Sequence, residues 1–440
     1  MKKLLVILLA LVIISTCFLV ACEKEVVYVY QQTGGSDVQG GSGSGNGGGN
    51  GGNIDTGEPS TYKLTVWCAE EDESMIWDML DDYKSLYSKN TYEFKVETVG
   101  EDVVSSAVTR DVNAAGDVFS FANDQLGILL NQNALYQIPN TYKPQIEEQI
   151  DVAVTSCKSG GNYYAIPYSY ENCFLYYNKS LVTEEDVKSM ESLLAKSVSG
   201  VEANLAIDMT DSYYTTMFLY TAGVEIFGPQ GIDPNSVDLA NEKALKACEY
   251  IAWLGTQSKL KSIIKADQTA ALKNGKVAAM ISGPHMIAQF KDALGDNFGV
   301  AMLPTIKLGT ETKQLVSFSG VKMYGISNKP NNIRDAKHTA EACRLAAFLA
   351  NSENQQTRLE QREFCPTNGD LFDAATESGL RTVEVVVDQS YYSNLKPGIS
   401  EMSAYWTPMA NFLQGVYDQK KSSDVWLTEL KGVETKIKEA

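Results

Sequence analysis

The sequence predicts an α/β fold made of two domains. In residues 62–99, two stretches of alternating apolar residues flank a stretch with apolar residues at helical spacing. This strand, helix and strand form a βαβ unit, which indicates parallel strands covered by helices. Of the 440 residues, about 380 remain after the N-terminal signal and tether are set aside, more than one ordinary hydrophobic core holds. A hydrophobic content of 44% is typical of a globular protein.

The N-terminal sequence is typical of an export signal. Lys2 and Lys3 precede an uninterrupted apolar run at 4–14, which is too short to span a membrane. Residues 19–22, Leu-Val-Ala-Cys, resemble the bacterial lipobox, in which the chain is cut before the cysteine and that cysteine is acylated. The resemblance implies that 1–21 is a lipoprotein signal peptide and that Cys22 carries the lipid. The alternative is plain secretion, with Cys22 incidental.

The next part of the chain is a tether. Residues 22–60 comprise the lipidation site Cys22 and a stretch rich in glycine and serine, which predicts a flexible linker without packed structure. With a net charge of −18, the chain is unsuited to nucleic acid and to an electrostatic grip on anionic lipid. We therefore expect a protein held at the extracellular face of the cell membrane by its lipid alone.

The cysteines and histidines indicate neither a metal site nor a disulfide framework. The chain has 8 cysteines, and the six beyond Cys22 are widely and irregularly spaced, with no C-x-x-C pair. It has only 2 histidines, which argues against histidine-based metal sites and acid–base machinery. We expect no metal and no cofactor.

Residues 163–180 combine tyrosines with one carboxylate. The pattern predicts two short strands broken at Pro167, with Glu171 between them. A lone acid among tyrosines suits a ligand that is both polar and flat-faced, while the alternative is an ordinary strand pair with a solvent-facing Glu171. Downstream, Thr183 and Asp186 have the spacing of a capping box that opens a helix.

Polar and aromatic residues follow two predicted strands. Phe121 and Asp124 come at the end of the apolar strand 117–121, and 209–215 follow the strand 204–208. Ligands of open α/β sheets bind at such carboxyl ends, which makes these residues candidates for contact. The alternative is that Phe121 belongs to the core and Asp124 caps the helix that follows.

The remaining elements complete an alternating pattern of helices and strands. Late in the chain, Tyr405 and Trp406 stand just before Pro408, which can start or kink a helix. The acid run at 70–73 could supply paired carboxylates for glycoside hydrolysis, but such a run is more often a solvated loop. Helices are predicted at 102–114, 183–195, 242–259, 340–350 and 422–438, and strands at 278–285, 297–305 and 316–326.

The body of the chain resembles the extracellular solute-binding proteins that serve ABC sugar importers, and the maltose- and maltodextrin-binding proteins most of all. The resemblance covers the chain from residue 62 to the C-terminus. The matching segments, in order, are 63–67, 117–127, 166–179, 281–284, 299–305 and 402–406. Segments 318–325 and 406–409 are most similar to the maltodextrin-type members of Gram-positive bacteria.

The resemblance implies a two-lobed periplasmic-binding-protein-like fold, the Venus flytrap, with a hinge of several segments. Lobe 1 would hold residues 61–170 and 305–367, and lobe 2 would hold residues 171–304 and 368–440. The chain would cross between the lobes near 170–173, 302–304 and 366–370. Such lobes close on the ligand and exclude water from it.

The resemblance also implies a set of sugar-binding residues. Asp72 stands where the maltose binders have a lysine, His285 where they have a stacking tryptophan, and Gln125 where they have an arginine. Carried over by position, the implied acids are Glu71, Asp124, Glu171 and Asp211, the stacking aromatics are Phe121, Tyr213 and Trp406, and Asp72, His285 and Tyr405 complete the set.

The function implied is a lipid-anchored receptor that captures malto-oligosaccharides and delivers them to the permease subunits of an ABC importer. It would be a monomer, would contact no nucleic acid and would have no catalytic residue. One alternative keeps the fold but binds a xylo-, galacto- or fructo-oligosaccharide. The other is a surface glycoside hydrolase that uses acids such as Glu71 and Glu171.

Overall fold

The structure is a computed structural model, and it describes residues 58–101 and 103–439. The predicted signal peptide, the lipidation site Cys22 and nearly all of the tether lie outside the described residues. Among the residues that are described, no helix is both long enough and apolar enough to cross a bilayer.

Fifteen strands occur in the described part of the chain. They are β1 Thr61–Cys68, β2 Thr91–Thr98, β3 Val118–Ala122, β4 Lys158–Ser159, β5 Asn162–Tyr163, β6 Ile166–Asn172, β7 Phe174–Asn178, β8 Ala203–Ile207, β9 Leu260–Ser262, β10 Val277–Ser282, β11 Phe298–Ala301, β12 Thr305–Leu308, β13 Glu311–Gln314, β14 Ser317–Ile326 and β15 Ser393–Leu395.

Two large sheets hold most of these strands. The first has the order β15-β14-β3-β1-β2, with β6 also paired to β14, and the second has the order β11-β7-β10-β8-β9. The predicted βαβ unit is confirmed, since β1 and β2 pair in parallel around the helix Glu73–Leu86. Both sheets are nevertheless mixed, because β14 runs antiparallel to β3 and β7 runs antiparallel to β10.

Helices cover both sheets. The α-helices are Glu73–Leu86, Val104–Arg110, Leu126–Asn131, Lys143–Glu147, Asp151–Ser156, Met190–Ala195, Ser212–Ala222, Glu242–Gly255, Lys265–Lys273, Ile287–Leu294, Ala336–Leu349, Ser352–Arg362, Gly369–Thr376, Arg381–Ser390, Trp406–Tyr417 and Trp426–Lys438. Short 3₁₀ turns precede several of them, among them Glu70–Asp72, Asn123–Gln125, Pro284–Met286 and Ser400–Ala404.

Separate hydrophobic cores form around the two sheets. One core packs Val66 of β1 and Phe119 of β3 against Leu345 of the helix Ala336–Leu349. Another packs Leu205 of β8 among the helices Ser212–Ala222, Glu242–Gly255 and Trp406–Tyr417. Burial of these apolar stripes is the main stabilising contribution to each layer.

The chain passes from the first sheet to the second at Cys173, which lies between β6 and β7. It returns to the first sheet with β14 and adds β15 to the same sheet near the C-terminus. The last two helices, Trp406–Tyr417 and Trp426–Lys438, then pack in the core of the second sheet. The exact lobe boundaries drawn from the sequence stay a prediction.

The break expected at Pro167 is wrong. Pro167 lies inside β6, and the two strands separate instead at Cys173. Pairing between β6 and β14 shifts its register between Lys322 and Met323, so that Tyr168 is left out of the ladder. A proline has no N–H to donate to a ladder, and a bulge is one place where a strand tolerates it.

The capping box at Thr183 forms, but it does not open a long helix. The Thr183 backbone N–H donates to Asp186 Oδ2 at 2.8 Å, and the Asp186 N–H donates to Thr183 Oγ1 at 3.3 Å. Only the 3₁₀ turn Asp186–Lys188 follows, and Ser189 then caps the separate α-helix Met190–Ala195. Local capping therefore sets a turn, while the next cap decides where the helix begins.

Candidate functional site

A cavity of about 730 Å³ lies where the strands of both sheets end. The loops after β1, β2 and β3 line it from the first sheet, and the loops after β8 and β10 line it from the second. Carboxyl ends of strands in open α/β sheets are where ligands bind, since backbone and side chains there converge without being covered by a helix.

Seven of the ten residues predicted to contact ligand line this cavity. They come from six separate regions of the chain, and the fold brings them together. They are Glu71, Asp124, Glu171, Asp211, Tyr213, His285 and Trp406. Their role as sugar contacts stays a prediction, but their convergence on one cavity is a property of the structure.

The other three predicted residues, Asp72, Phe121 and Tyr405, do not line the cavity. Asp72 is 4% exposed and pairs with Arg362 at 2.6 Å. Phe121 is fully buried, because its strand β3 is covered on both faces. Tyr405 is also fully buried, and its hydroxyl is 2.7 Å from Thr216 Oγ1. Each of the three is therefore engaged inside the protein.

Two aromatic rings form one wall of the cavity. Tyr213 stacks on Phe318, with ring centroids 5.9 Å apart and planes 16° apart, and Trp406 contacts the same Phe318 at 5.5 Å. Asp211 accepts a hydrogen bond from the Tyr213 backbone N–H at 2.8 Å and so caps the helix Ser212–Ala222. Ser212 Oγ donates to the Trp406 carbonyl at 2.9 Å, which joins the two helices that carry the rings.

Acids and lysines that alternate line part of the cavity, and we name this set the charge ladder: Glu101, Lys322, Glu171, Lys396 and Asp124. Lys322 Nζ is 3.0 Å from Glu101 and 3.6 Å from Glu171. Lys396 Nζ is 3.0 Å from Asp124. The ladder joins side chains from β6 and β14 with side chains from the ends of β2, β3 and β15.

Gly320 makes the centre of the charge ladder possible. Gly320 pairs with Glu171 in the register of β14 and β6. A Cβ at position 320 would lie 2.7 Å from Lys396 Cε and 3.5 Å from Glu171 Oε1. A residue with a side chain here would displace the lysine, so the missing Cβ is what lets Lys396 approach Glu171.

Asn123 fixes the backbone that carries Lys396. Its side-chain amide donates to the Lys396 carbonyl at 2.7 Å, and its Oδ1 accepts from the Val321 N–H at 3.0 Å. Asn123 is only 1% exposed, so both bonds are made in a dry environment where they are strongest. The segment after β15 is thereby tied to β14.

The charged groups of the ladder shift one another's pKa values. Burial alone would raise the pKa of Glu171, but the ammonium groups of Lys322 and Lys396 outweigh burial and lower that pKa. Burial raises the pKa of Glu101, and the nearby negative charge of Glu171 raises it further. The ammonium group of Lys322 lowers this pKa but offsets the rise only in part. Burial would lower the pKa of Lys322, yet the two carboxylates raise it well above its usual value.

His285 is the neutral member of the cavity. Burial, together with the positive charges of Lys265 and Lys322, lowers its pKa to about 4. Its Nε2 is buried and has no hydrogen-bond partner among the described residues. A neutral imidazole with an unpartnered nitrogen can donate or accept one hydrogen bond, according to its tautomer.

Comparison with known proteins decides the family. The family model described as "Bacterial extracellular solute-binding protein" matches residues 78–379, which is more than half of the chain. The chain belongs to the bacterial extracellular solute-binding protein family. The resemblance seen in the sequence is thereby confirmed.

Individual relatives agree with this family. The chain is 26% identical over 390 residues to the galactooligosaccharide-binding protein of Bacillus subtilis, a match that covers 84% of this chain and 89% of the relative. It is also 26% identical over 395 residues to the maltooligosaccharide ABC transporter solute-binding lipoprotein of Streptococcus pneumoniae, which covers 86% of this chain and 90% of the relative.

A solved structure shows the same fold. The structure of MalX from Streptococcus pneumoniae in complex with maltopentaose has a TM-score of 0.72 and 25% sequence identity, and the match covers 86% of this chain and 99% of that chain. The predicted fold class, a two-lobed α/β solute-binding protein, is therefore confirmed.

The lysine side chains in the cavity of this solute-binding protein do not follow from the sequence predictions. Lys322 and Lys396 were not predicted, and neither was Glu101. One signal was present: Lys322 interrupts β14, a ten-residue strand whose other residues are apolar or small and whose positions are all buried. A lysine in such a strand needs an acid partner, and that requirement marks it as a functional candidate.

The solute-binding protein thus offers a ligand two kinds of surface. Tyr213 and Trp406 give aromatic surface, and the charge ladder gives fixed acceptors and donors in the same cavity, with Lys396 Nζ 5.8 Å from the centre of the Tyr213 ring. The described residues contain no group of three or more His, Cys, Asp or Glu side chains that could hold a metal ion. The arrangement suits reversible capture of a polar molecule that has an apolar face.

Proposed function

We propose that this protein captures malto-oligosaccharides outside the cell and delivers them to an ABC importer. The observation that carries the proposal is the cavity itself, which is lined both by the aromatic rings of Tyr213 and Trp406 and by the charge ladder. Pyranose rings have C–H faces that pack on aromatic rings and hydroxyl edges that bond to charged acceptors and donors. Both needs of a sugar are met at one place.

The choice of α-glucan rests on the relatives. The lipoprotein of Streptococcus pneumoniae is named for maltooligosaccharide, and MalX was solved with maltopentaose. Galacto-oligosaccharide is the second candidate, because the relative in Bacillus subtilis is named for that ligand at the same 26% identity. Xylo- and fructo-oligosaccharides remain alternatives that use the same chemistry.

Calorimetry against a panel of sugars tests the ligand. The panel holds maltotriose, maltopentaose, galacto-oligosaccharides, xylo-oligosaccharides and fructo-oligosaccharides, and the matched control is the variant Trp406→Ala. We expect the tightest binding from the malto-oligosaccharides and a loss of that binding in the variant. Tightest binding of a galacto-oligosaccharide would replace the α-glucan assignment, and no binding across the panel would refute the proposal.

The ionisation of the cavity acids supports a binding protein over a glycoside hydrolase. A hydrolase needs a protonated carboxyl group beside the scissile bond, whereas the two lysines lower the pKa of Glu171. Glu101 has a raised pKa, but its oxygens already contact Lys322 at 3.0 Å and the Ser120 hydroxyl at 3.2 Å. Incubation with maltodextrins should leave their chain lengths unchanged, and shortened products would overturn this assignment.

We also propose attachment to the outer face of the membrane through lipid on Cys22. The support is the order of cationic start, apolar run and Leu-Val-Ala-Cys, together with the relative named a lipoprotein. Two or more acyl chains are needed for stable anchoring. The variant Cys22→Ser should be released into the medium while the natural chain stays with the membrane fraction, and equal partitioning of both would contradict lipidation.

A further inference from the structure

A second concave site lies apart from the central cavity, and we name it the outer groove. It has a volume of about 690 Å³ and lies between the helix Glu242–Gly255 and the hairpin of β12 and β13. It shares no lining residue with the central cavity. The side chains that matter here are Lys246, Glu249, Tyr250, Trp253, Lys307 and Glu311.

One carboxylate holds the two walls of the outer groove together. Glu191 Oε1 accepts from the Tyr250 hydroxyl at 2.8 Å and from the Lys307 backbone N–H at 2.8 Å. Its other oxygen accepts from Ser189 Oγ at 3.2 Å. The hairpin is tied down again by Thr305 Oγ1, which donates to the Lys188 carbonyl at 3.1 Å. The groove is therefore a fixed shape built from regular elements, and fixed sites lose little entropy on binding.

Aromatic surface forms part of the groove. Tyr250 and Trp253 have ring centroids 5.1 Å apart, with planes tilted by 43°. Tyr250 is buried and bonded, whereas Trp253 is only partly buried. The Trp253 indole N–H has no hydrogen-bond partner among the described residues. Trp253 thus offers both a ring face and a free donor at one point.

Charges of both signs surround Trp253. Lys246 and Glu249 are exposed and precede it by seven and four positions, which places all three on one side of the helix. Lys307 and Glu311, also exposed, stand across the groove on the hairpin. Glu191 also lines the groove, and Lys313 pairs with Glu311 at 3.1 Å. Three carboxylates and three ammonium groups balance, so the groove favours no ionic ligand by net charge.

We propose that the outer groove is a second carbohydrate-binding site, which takes a neutral oligosaccharide or the side of a polysaccharide chain. Trp253 supplies the ring on which a pyranose face packs, and the four exposed charges supply donors and acceptors for hydroxyl groups. The large apolar side chains that are most exposed in the described part of the chain lie elsewhere, so the aromatic surface of the groove is bordered by charged side chains and not by a wider apolar patch.

The site goes beyond the proposed function, because capture in the central cavity needs no second contact. A second site would hold the protein on extracellular polysaccharide, where its ligands are released as fragments.

Affinity electrophoresis with the full-length chain tests the proposal. Native gels contain soluble starch, galactan or xylan, and the chains compared are Trp406→Ala and the double variant Trp406→Ala/Trp253→Ala. Trp406→Ala weakens the central cavity, so the difference between the single and the double variant reports the contribution of Trp253. We expect at least one polysaccharide to retard Trp406→Ala, and the added Trp253→Ala to reduce the apparent affinity at least fivefold.

Two controls make the result specific to the groove. Trp253→Phe keeps a ring and should retain most of the retardation, and Lys246→Ala/Glu249→Ala removes exposed charges and should weaken it at least threefold without unfolding the protein. Thermal unfolding of every variant checks its fold. Equal retardation of the single and double variants, or no retardation by any of the three polysaccharides, would overturn the proposal.

The test separates this proposal from the proposed function. Calorimetry of Trp253→Ala with maltotriose reports the central cavity alone, and we expect the affinity of the natural chain. If the central cavity binds no sugar while Trp253-dependent retardation persists, the proposed function fails and the second site stands.

Discussion

Removal of Lys322 should destabilise the protein strongly at neutral pH and only weakly in mild acid. Lys322 lies between Glu101 and Glu171, at 3.0 Å and 3.6 Å, and its side chain is 5% exposed. At an effective dielectric constant of about 20, each contact at such a distance is worth roughly 5 kcal/mol of attraction before desolvation is subtracted. The substitution Lys322→Met keeps the length of the side chain and removes the charge.

The expected loss of unfolding free energy in Lys322→Met has an upper bound, because a buried carboxylate can take up a proton. Without the lysine, two buried carboxylates face each other, and one of them can accept a proton instead of staying charged. Neutralising a carboxylate of ordinary pKa costs about 4 kcal/mol at pH 7 and about 1 kcal/mol at pH 5. We therefore expect the free energy of unfolding to fall by about 3–4 kcal/mol at pH 7, the range measured when one partner of a buried ion pair is removed.

The sign of the pH dependence follows from proton uptake. The folded variant holds a proton that the unfolded chain releases, because the pKa of one carboxyl is raised on folding. Stability of the variant therefore decreases, relative to the natural protein, as the pH rises from 5 to 7. Urea unfolding of the ligand-free natural protein and of Lys322→Met at both pH values measures the difference.

Glu171→Gln is the matched control for this experiment. It removes the central acid, but Lys322 still pairs with Glu101 and Lys396 still pairs with Asp124. We expect it to cost only about 1–2 kcal/mol at pH 7. If Lys322→Met costs less than about 1 kcal/mol, or costs the same at pH 5 as at pH 7, then the charge ladder does not stabilise the fold in the way described here.

Three further predictions use the same protein. Trp406→Ala should weaken oligosaccharide binding by about 2 kcal/mol in calorimetry, since it removes a ring face from the cavity; an unchanged dissociation constant would remove Trp406 from the site. Tyr405→Phe should leave the affinity unchanged and lower the free energy of unfolding by about 1 kcal/mol in urea, because it loses only the bond to Thr216; a tenfold weaker affinity would contradict this. His285 has a pKa near 4, below the 6.5 of the unfolded chain, so its neutral form stabilises the fold above pH 6.5 and that contribution is lost on acidification. Between pH 7 and pH 4.5 the natural protein should lose about 2–3 kcal/mol more than His285→Asn, and parallel urea curves for the two would refute it.

The charge ladder also bears on how ligand and fold are coupled. Its members come from loops and strands that meet only in the folded first sheet, and Trp406 and Tyr213 come from helices packed on the second. A ligand that contacts both surfaces links the two sheets. Two-lobed binding proteins that close on a ligand work through this kind of bridging contact.

The sequence alone determined what depends on short stretches of chain. Alternating apolar residues located β1, β2 and β14 to within one or two residues. The order of charge, apolar run and cysteine pointed to export and to Cys22. The segment 209–215 was identified as a strand end, and the family resemblance named Tyr213 within it, which the structure places in the cavity. Each of these signals lies in neighbouring residues, because periodicity and capping are local properties.

Only the tertiary structure decided which side chains share the cavity. Phe121 and Tyr405 had the right residue type and the right neighbours in sequence, but packing turned both into the core. Lys322 meets Glu101 and Glu171 only when β14 lies beside β6, and Lys396 meets Asp124 only after β15 joins the same sheet. Partners so far apart along the chain leave no local pattern, because an ion pair depends on distance in space and not on spacing in sequence.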